Sequence, residues 1–342
     1  MQRNLGRKFK TLLLICLATG FAGVIYQLVS EQLVNASSVL FGLPLGLVFG
    51  VMELFVFSKA EKRFRRWSFT KLIVFKTLAY TAVIFGVILL VTATIGMLQG
   101  RQLYELMAVL HSFEPWVLLI YTLVVYSLIV FMLQINRLLG EGVLWKFISG
   151  KYHKPREEER IFMFLDMKSS TSIAEQLGHV KFYDLLNELF HEISYPVLHT
   201  KAEIYQYIGD EVVLTWEMDD GMANANCLRA FFMFRERLIQ NGERYLGHFG
   251  VKPEFKAGVH FGKVTSAQIG ELKREIVYNG DVLNTASRIQ SACNTYQRDC
   301  LVSGSLMNKL SKHDEYEWER IGAVTLRGKE KEVELFSVNV NH

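Results

Sequence analysis

Asp166 ends the apolar run IFMFLD, and Asp210 follows a glycine between two apolar runs in YQYIGDEVVLTW. An apolar strand closing on an acid, beside a tight Gly-Asp turn, sets two carboxylates side by side. Two acids at one point repel unless a cation joins them, and such pairs hold two divalent ions about 3.5–4 Å apart for attack on a phosphate. Asn284 and Arg288 come later in YNGDVLNTASRIQ, one helical turn apart. An arginine there can meet the charge that develops on a transferring phosphoryl group. Just past Asp166, MKSST leads small hydroxyl residues into a helix. Free amides at such a helix start suit a polyphosphate. Ser169, Ser170 and Thr171 read as phosphate-side residues or as plain caps.

The elements around these residues alternate. Strand-like runs are IFMFLD, AEIYQYI, EVVLTWE, EFKAGVHFG, KVTSAQIG and VELFSVNV, and helical patterns cover SIAEQLGHVKFYDLLNELFHEIS, 222–240 and VLNTASRIQSAC. The order strand, helix, two strands on a tight turn, helix, strand predicts an α+β, ferredoxin-like sheet with helices on one face. The hairpin tip then lies beside the end of the first strand, so Asp166 and Asp210 converge.

The N-terminal part reads differently. Apolar segments at roughly 11–30, 38–58, 72–98 and 115–135 are each near the ~20 residues that cross a bilayer, which predicts an all-α, four-helix transmembrane bundle. The first is too long, and lacks a clear cleavage site, for a signal peptide. Arg3, Arg7, Lys8 and Lys10 precede it, and KAEKRFRRWSFTK follows the second segment. The other two connections hold one Arg and no Lys. That asymmetry predicts a multi-pass protein of the plasma (inner) membrane with both termini and the second half cytoplasmic. The net charge of +4 makes no case for nucleic acid, and the cations beside apolar segments point to membrane lipid. Cys16, Cys227, Cys293 and Cys300 show no paired spacing and read as reduced thiols. Inside the segments, Lys76 is expected to snorkel. Pro44 is expected to kink the second helix. Glu53 either marks a functional site or reaches the headgroups or Lys59.

Residues 138–158 join the halves. Leu138, Leu139, Val143, Leu144 and Phe147 recur at helical spacing, weakened by Gly140 and Gly142 and ended by Pro155 and a charged run. This amphipathic segment fits a lever or a passive tether. The organisation is therefore 1–137 membrane domain, 138–158 linker and 159–342 catalytic-type domain.

Several ordered motifs now accumulate: FLDMKSST, YIGDEVV, AGVHFGKVTSAQIG, NGDVLNTASR and LRGKEKEVELF. Together, over about 158–340, they resemble the class III nucleotidyl cyclases. The resemblance implies that Asp166 and Asp210 carry two Mg²⁺ or Mn²⁺ per active site. It implies that Asn284 orients the ribose and Arg288 is the transition-state arginine. It puts the lysine that grips the terminal phosphates at Lys329, with Arg327 and Lys331 as alternatives. It further implies a homodimer with two shared sites, metal acids from one chain and Asn, Arg and Lys from the other. The implied activity is that of an adenylate cyclase making cyclic AMP and pyrophosphate from ATP.

Base recognition departs from the family pattern. Family adenylate cyclases carry Lys where this chain has Gln206, and Asp or Thr where it has Val277. Guanylate-specific members carry Glu and Cys there. Cyclization of GTP therefore stays open beside ATP, as does a catalytically silent receptor with a cyclase fold. A diguanylate cyclase fits poorly, because Ile208 replaces the first Gly of that family's turn. The membrane half reads equally as sensor or anchor, and no stimulus is legible in it.

Overall fold

The computed structural model of the chain describes residues 2–30, 36–57, 67–98, 113–140, 142–310, 315–327 and 332–341. They form two compact units, Met1–Leu139 and Gly140–His342.

The first unit is helical. It contains α1 (Gln2–Ser30), α2 (Ala36–Val51) running into a π-helical turn at Met52–Phe57, α3 (Phe69–Leu98) and α4 (Phe113–Leu139). Among the described residues, two stretches are long and apolar enough to cross a membrane, Phe69–Val87 and Leu119–Asn136. Thr11–Tyr26 and Leu43–Phe57 are apolar but shorter. Glycines let α1 and α2 approach closely: a Cβ at Gly46 would stand 2.0 Å from Thr19 Oγ1, and one at Gly50 2.3 Å from Leu12 Cδ1. Small residues serve close helix pairs in this way when apolar burial gives little drive for association.

Lys76 does not snorkel. Its Nζ lies 2.5 Å from Glu53 Oε1, and the Tyr80 hydroxyl donates to Glu53 Oε2 at 2.6 Å. Glu53 and Lys76 are both buried. Neither charge could sit alone in so apolar a setting, and pairing across two helices satisfies both at once. Lys59, the other expected partner of Glu53, lies outside the described residues.

The second unit begins with α5 (Val143–Ile148), so the amphipathic pattern of the linker resolves into the end of α4 and this short helix. Then follow β1 (Arg156–Met167), α6 (Ser170–Leu177), α7 (His179–Thr200), β2 (Glu203–Ile208) and β3 (Glu211–Glu217). After α8 (Met218–Met222) come α9 (Asn226–Gln240), α10 (Gly242–Phe249), β4 (Phe255–Ile269) and β5 (Glu275–Asn279). The unit closes with α11 (Asp281–Tyr296), β6 (Cys300–Ser303), α12 (Gly304–Lys309), β7 (Tyr316–Val324) and β8 (Val333–Val340).

The strand order is β2-β3-β1-β4-β6-β8-β7, with β5 pairing β4. Its first four strands are the ferredoxin-like set expected from the sequence. Two expectations need correction. EFKAGVHFG and KVTSAQIG are one continuous 15-residue strand, β4. Gly262 does not break it; the glycine gives room to Val282 of α11, whose Cβ would be 3.3 Å from a Cβ there. Helices also cover both faces of the sheet. Ile161, Met163 and Leu165 face the core built with Leu185, Trp216 and Phe231, while Phe162 and Phe164 face Val282 and Ala286 of α11. A strand buried on both faces must be apolar throughout, and IFMFL is.

Candidate active site

Asp166 lies one residue before the end of β1, between the buried core residues Leu165 and Met167, and is half-buried. Asp210 lies in the two-residue turn between β2 and β3, where Gly209 supplies the positive φ of 65° that the turn demands. The β1–β3 register pairs Leu165 with Val212, which carries the turn past the end of β1. The two carboxylates therefore meet. Burial pushes the Asp166 carboxyl above its ordinary value; a bond from Lys256 opposes this, and the Asp210 charge adds to it. Glu211 flanks the pair, and burial, then the charges of Asp166 and Asp210, push it up to about 7. Asp210 Oδ2 is buried without a hydrogen-bond partner.

Sequence reasoning missed what braces Asp166. Lys256 stands opposite it in the β1–β4 register, and its Nζ lies 3.1 Å from Asp166 Oδ2. Gln290 of α11 donates to the same oxygen at 2.9 Å. Asn294, one turn on, accepts from Lys256 at 3.1 Å. The one available signal was a lone lysine in the apolar strand FKAGV, across the sheet from an acid.

Asn284 and Arg288 sit on α11 as expected, on one stripe, with Asn284 exposed and Arg288 half-buried. At 3.6 residues per turn, Gln290 points roughly 160° away from Arg288. The face of α11 that braces Asp166 is therefore not the face that carries Asn284 and Arg288. Gln206 is exposed on β2 beside a bulge, and Val277 on β5 pairs with Ala267. Their neighbours Tyr205 and Tyr278 meet, ring centroids 5.0 Å apart, under the two strands. Ser169 adopts a left-handed φ of 55° as the N-cap of α6 and makes no side-chain cap bond. Ser170 opens the helix half-buried, and Thr171 is exposed. Arg327 is exposed; Lys329 and Lys331 lie outside the described residues.

Residues 152–339 match the family described as Adenylate and Guanylate cyclase catalytic domain. The chain belongs to this family. Adenylate cyclase 2 of Rhizobium meliloti (strain 1021) is 33% identical over 220 residues, 64% of this chain and 61% of that protein. An adenylate cyclase of Anabaena cylindrica is 25% identical over 185 residues, 52% of this chain and 36% of its own length. The chain thus spans less than two thirds of either relative. A bacterial light-regulated adenylyl cyclase has the same cyclase fold, with a TM-score of 0.55 at 18% identity, over 64% of each chain.

Proposed function

We propose that the chain is a membrane-bound adenylate cyclase that converts ATP to 3′,5′-cyclic AMP and pyrophosphate at sites shared by two copies. The carrying observation is Asp210 Oδ2, a buried carboxylate oxygen without a donor, beside Asp166. Such an oxygen is expensive to bury unless a cation takes it. Hard carboxylate oxygens suit Mg²⁺ or Mn²⁺. Two carboxylates leave positions on such ions for substrate phosphate and water. Bound there, two divalent ions would activate the ribose 3′-hydroxyl and neutralise the polyphosphate.

The protein's own groups do the rest. Asp166 and Asp210 would hold the ions, and Arg288 meets charge on the α-phosphoryl group as the 3′-hydroxyl loses its proton to water, its oxygen bonds to the α-phosphorus, and the bond to the leaving pyrophosphate breaks. Asn284 orients the ribose, and Lys329 grips the terminal phosphates. Amides at the start of α6, beside Ser169, Ser170 and Thr171, receive phosphate oxygens. Because Asn284 and Arg288 lie off the α11 face that braces this chain's Asp166, they serve the acids of a second copy, which gives a homodimer with two sites. The apolar helices α3 and α4 carry the membrane assignment, and the basic flanks put both termini in the cytoplasm.

The test is complementation in the full chain. Asp166→Ala and Arg288→Ala are each expected to be inactive, and co-expression to return about a quarter of the wild-type rate through mixed dimers with one intact site. No recovery, with mixed dimers present, rejects the shared site. Guanylate cyclization is the second reading, favoured by Val277, whose side chain cannot accept from an adenine amine. Cyclic GMP as the main product from competing ATP and GTP would establish it. Absence of both products would favour a silent receptor.

A further inference from the structure

We propose that Lys256 is a positioning residue and the site's own counter-cation, which holds Asp166 in place and competes with the first divalent ion. The inference rests on the metal-binding reading of Asp166 and Asp210 given above.

Lys256 is only 8% exposed, in the central strand β4 and opposite Asp166. A buried ammonium needs an acid, and two adjacent acids need a cation. Each requirement answers the other here. The ammonium reaches Asp166 Oδ2 at 3.1 Å and Asn294 Oδ1 at 3.1 Å, and so ties the end of β1 to α11. Gln290, itself 4% exposed, takes the same Asp166 oxygen at 2.9 Å. Two donors from its own chain thus fix one oxygen of Asp166. Asp210, by contrast, keeps a buried oxygen with no donor at all. The pair is asymmetric: Asp166 is oriented in advance by the protein, and Asp210 is left to the metal.

A positive charge this close weakens cation binding, because like charges in a partly buried site interact far more strongly than in water. Lys256 therefore trades metal affinity for a fixed Asp166. That makes two separable effects of removing its charge: tighter metal binding and poorer geometry for the reaction.

The test is Mn²⁺ titration of the purified full chain, read by loss of the free-ion electron paramagnetic resonance signal, with no nucleotide present. Lys256→Met is expected to bind Mn²⁺ about tenfold more tightly, while Lys256→Arg, which keeps the charge, stays within about threefold of wild type. In turnover assays Lys256→Met is expected to need less Mn²⁺ for half-saturation and to have a lower kcat. Lys256→Gln keeps a donor without the charge and gives the same readout should the methionine variant not fold. Unchanged or weaker Mn²⁺ binding in a folded, uncharged variant overturns the proposal. Asp166→Asn separates this from the underlying reading. If that variant binds Mn²⁺ as wild type does, the acids do not hold the metal, and the metal reading falls together with the proposal.

Discussion

A methyl group at Gly258 would stand 2.1 Å from the backbone nitrogen of Gln290 and 2.6 Å from the carbonyl oxygen of Ala286. Helix α11 therefore rests directly on β4 at this point, which is what brings Gln290 and Asn294 within reach of Asp166 and Lys256. Gly258→Ala must push the helix away and is expected to cost about 3 kcal/mol of stability. It should also lower activity beyond what unfolding explains, read as kcat per folded molecule. A second single-residue prediction concerns Val277. An acceptor there can take the adenine amine, so Val277→Asp is expected to raise the ATP-to-GTP ratio of kcat/KM by about tenfold, the worth of one hydrogen bond. An unchanged ratio would mean that β5 does not read the base. At this scale the convergence of the two aspartates was legible, because type and local spacing put an acid at the end of an apolar strand and an acid after a turn glycine. Lys256 and Gln290 were not, since their meaning comes from register across the sheet and from a helix contact set by a distant glycine.

The elements that carry the site are held by polar contacts on the strand ends opposite the acids. Arg160 is wholly buried on β1. It donates to Thr215 of β3 and to Glu203 of β2, each at 3.0 Å, and lies 4.7 Å from the Tyr278 ring of β5. The entry segment joins the same cluster: Lys146 of α5 bonds both oxygens of Glu203 at 2.7 Å, and Lys151 bonds Glu217 at 2.7 Å. The Lys151 bond holds the Glu217 carboxyl below its ordinary value of 4.5. A carboxyl with a lowered folded value binds fewer protons folded than unfolded near that pH. Its contribution is thus complete above pH 4.5 and disappears as pH falls through the folded value. Glu217→Gln is expected to lower the unfolding free energy slightly at pH 7, by under about 1 kcal/mol for so exposed a pair. The gap to wild type should close below pH 4.5; a gap that persists there would mean that charge is not its source. Elements with strong local patterns, β1, β2, β3 and α7, could be read from sequence. The 15-residue β4 could not, because its mid-strand glycine looks like a break until a helix is seen lying over it. The four-residue β6 is too short to show a period at all.

For the whole chain, the structure divides into an apolar helical unit, Met1–Leu139, and a mixed α/β unit, Gly140–His342. How the helices of the first unit recognise one another did not follow from the sequence. Glu53 on the π-helical turn and Lys76 on α3 are 23 residues apart and have no shared local pattern, yet they form a buried pair with Tyr80 as a third member. A π-turn re-aims the side chains that follow it, and here it carries Glu53. Removing one partner of a buried pair strands the other charge, whereas removing both leaves an apolar contact. Glu53→Leu and Lys76→Met are therefore each expected to destabilise the detergent-solubilised chain by about 3 kcal/mol. The double variant should recover most of that loss, measured as a thermal unfolding cycle. Additive losses would mean that the two charges act independently. Recovery in the double variant would mean that each charge is costly chiefly when the other is missing, so that the pair satisfies two buried groups rather than adding net stability to the helices it joins.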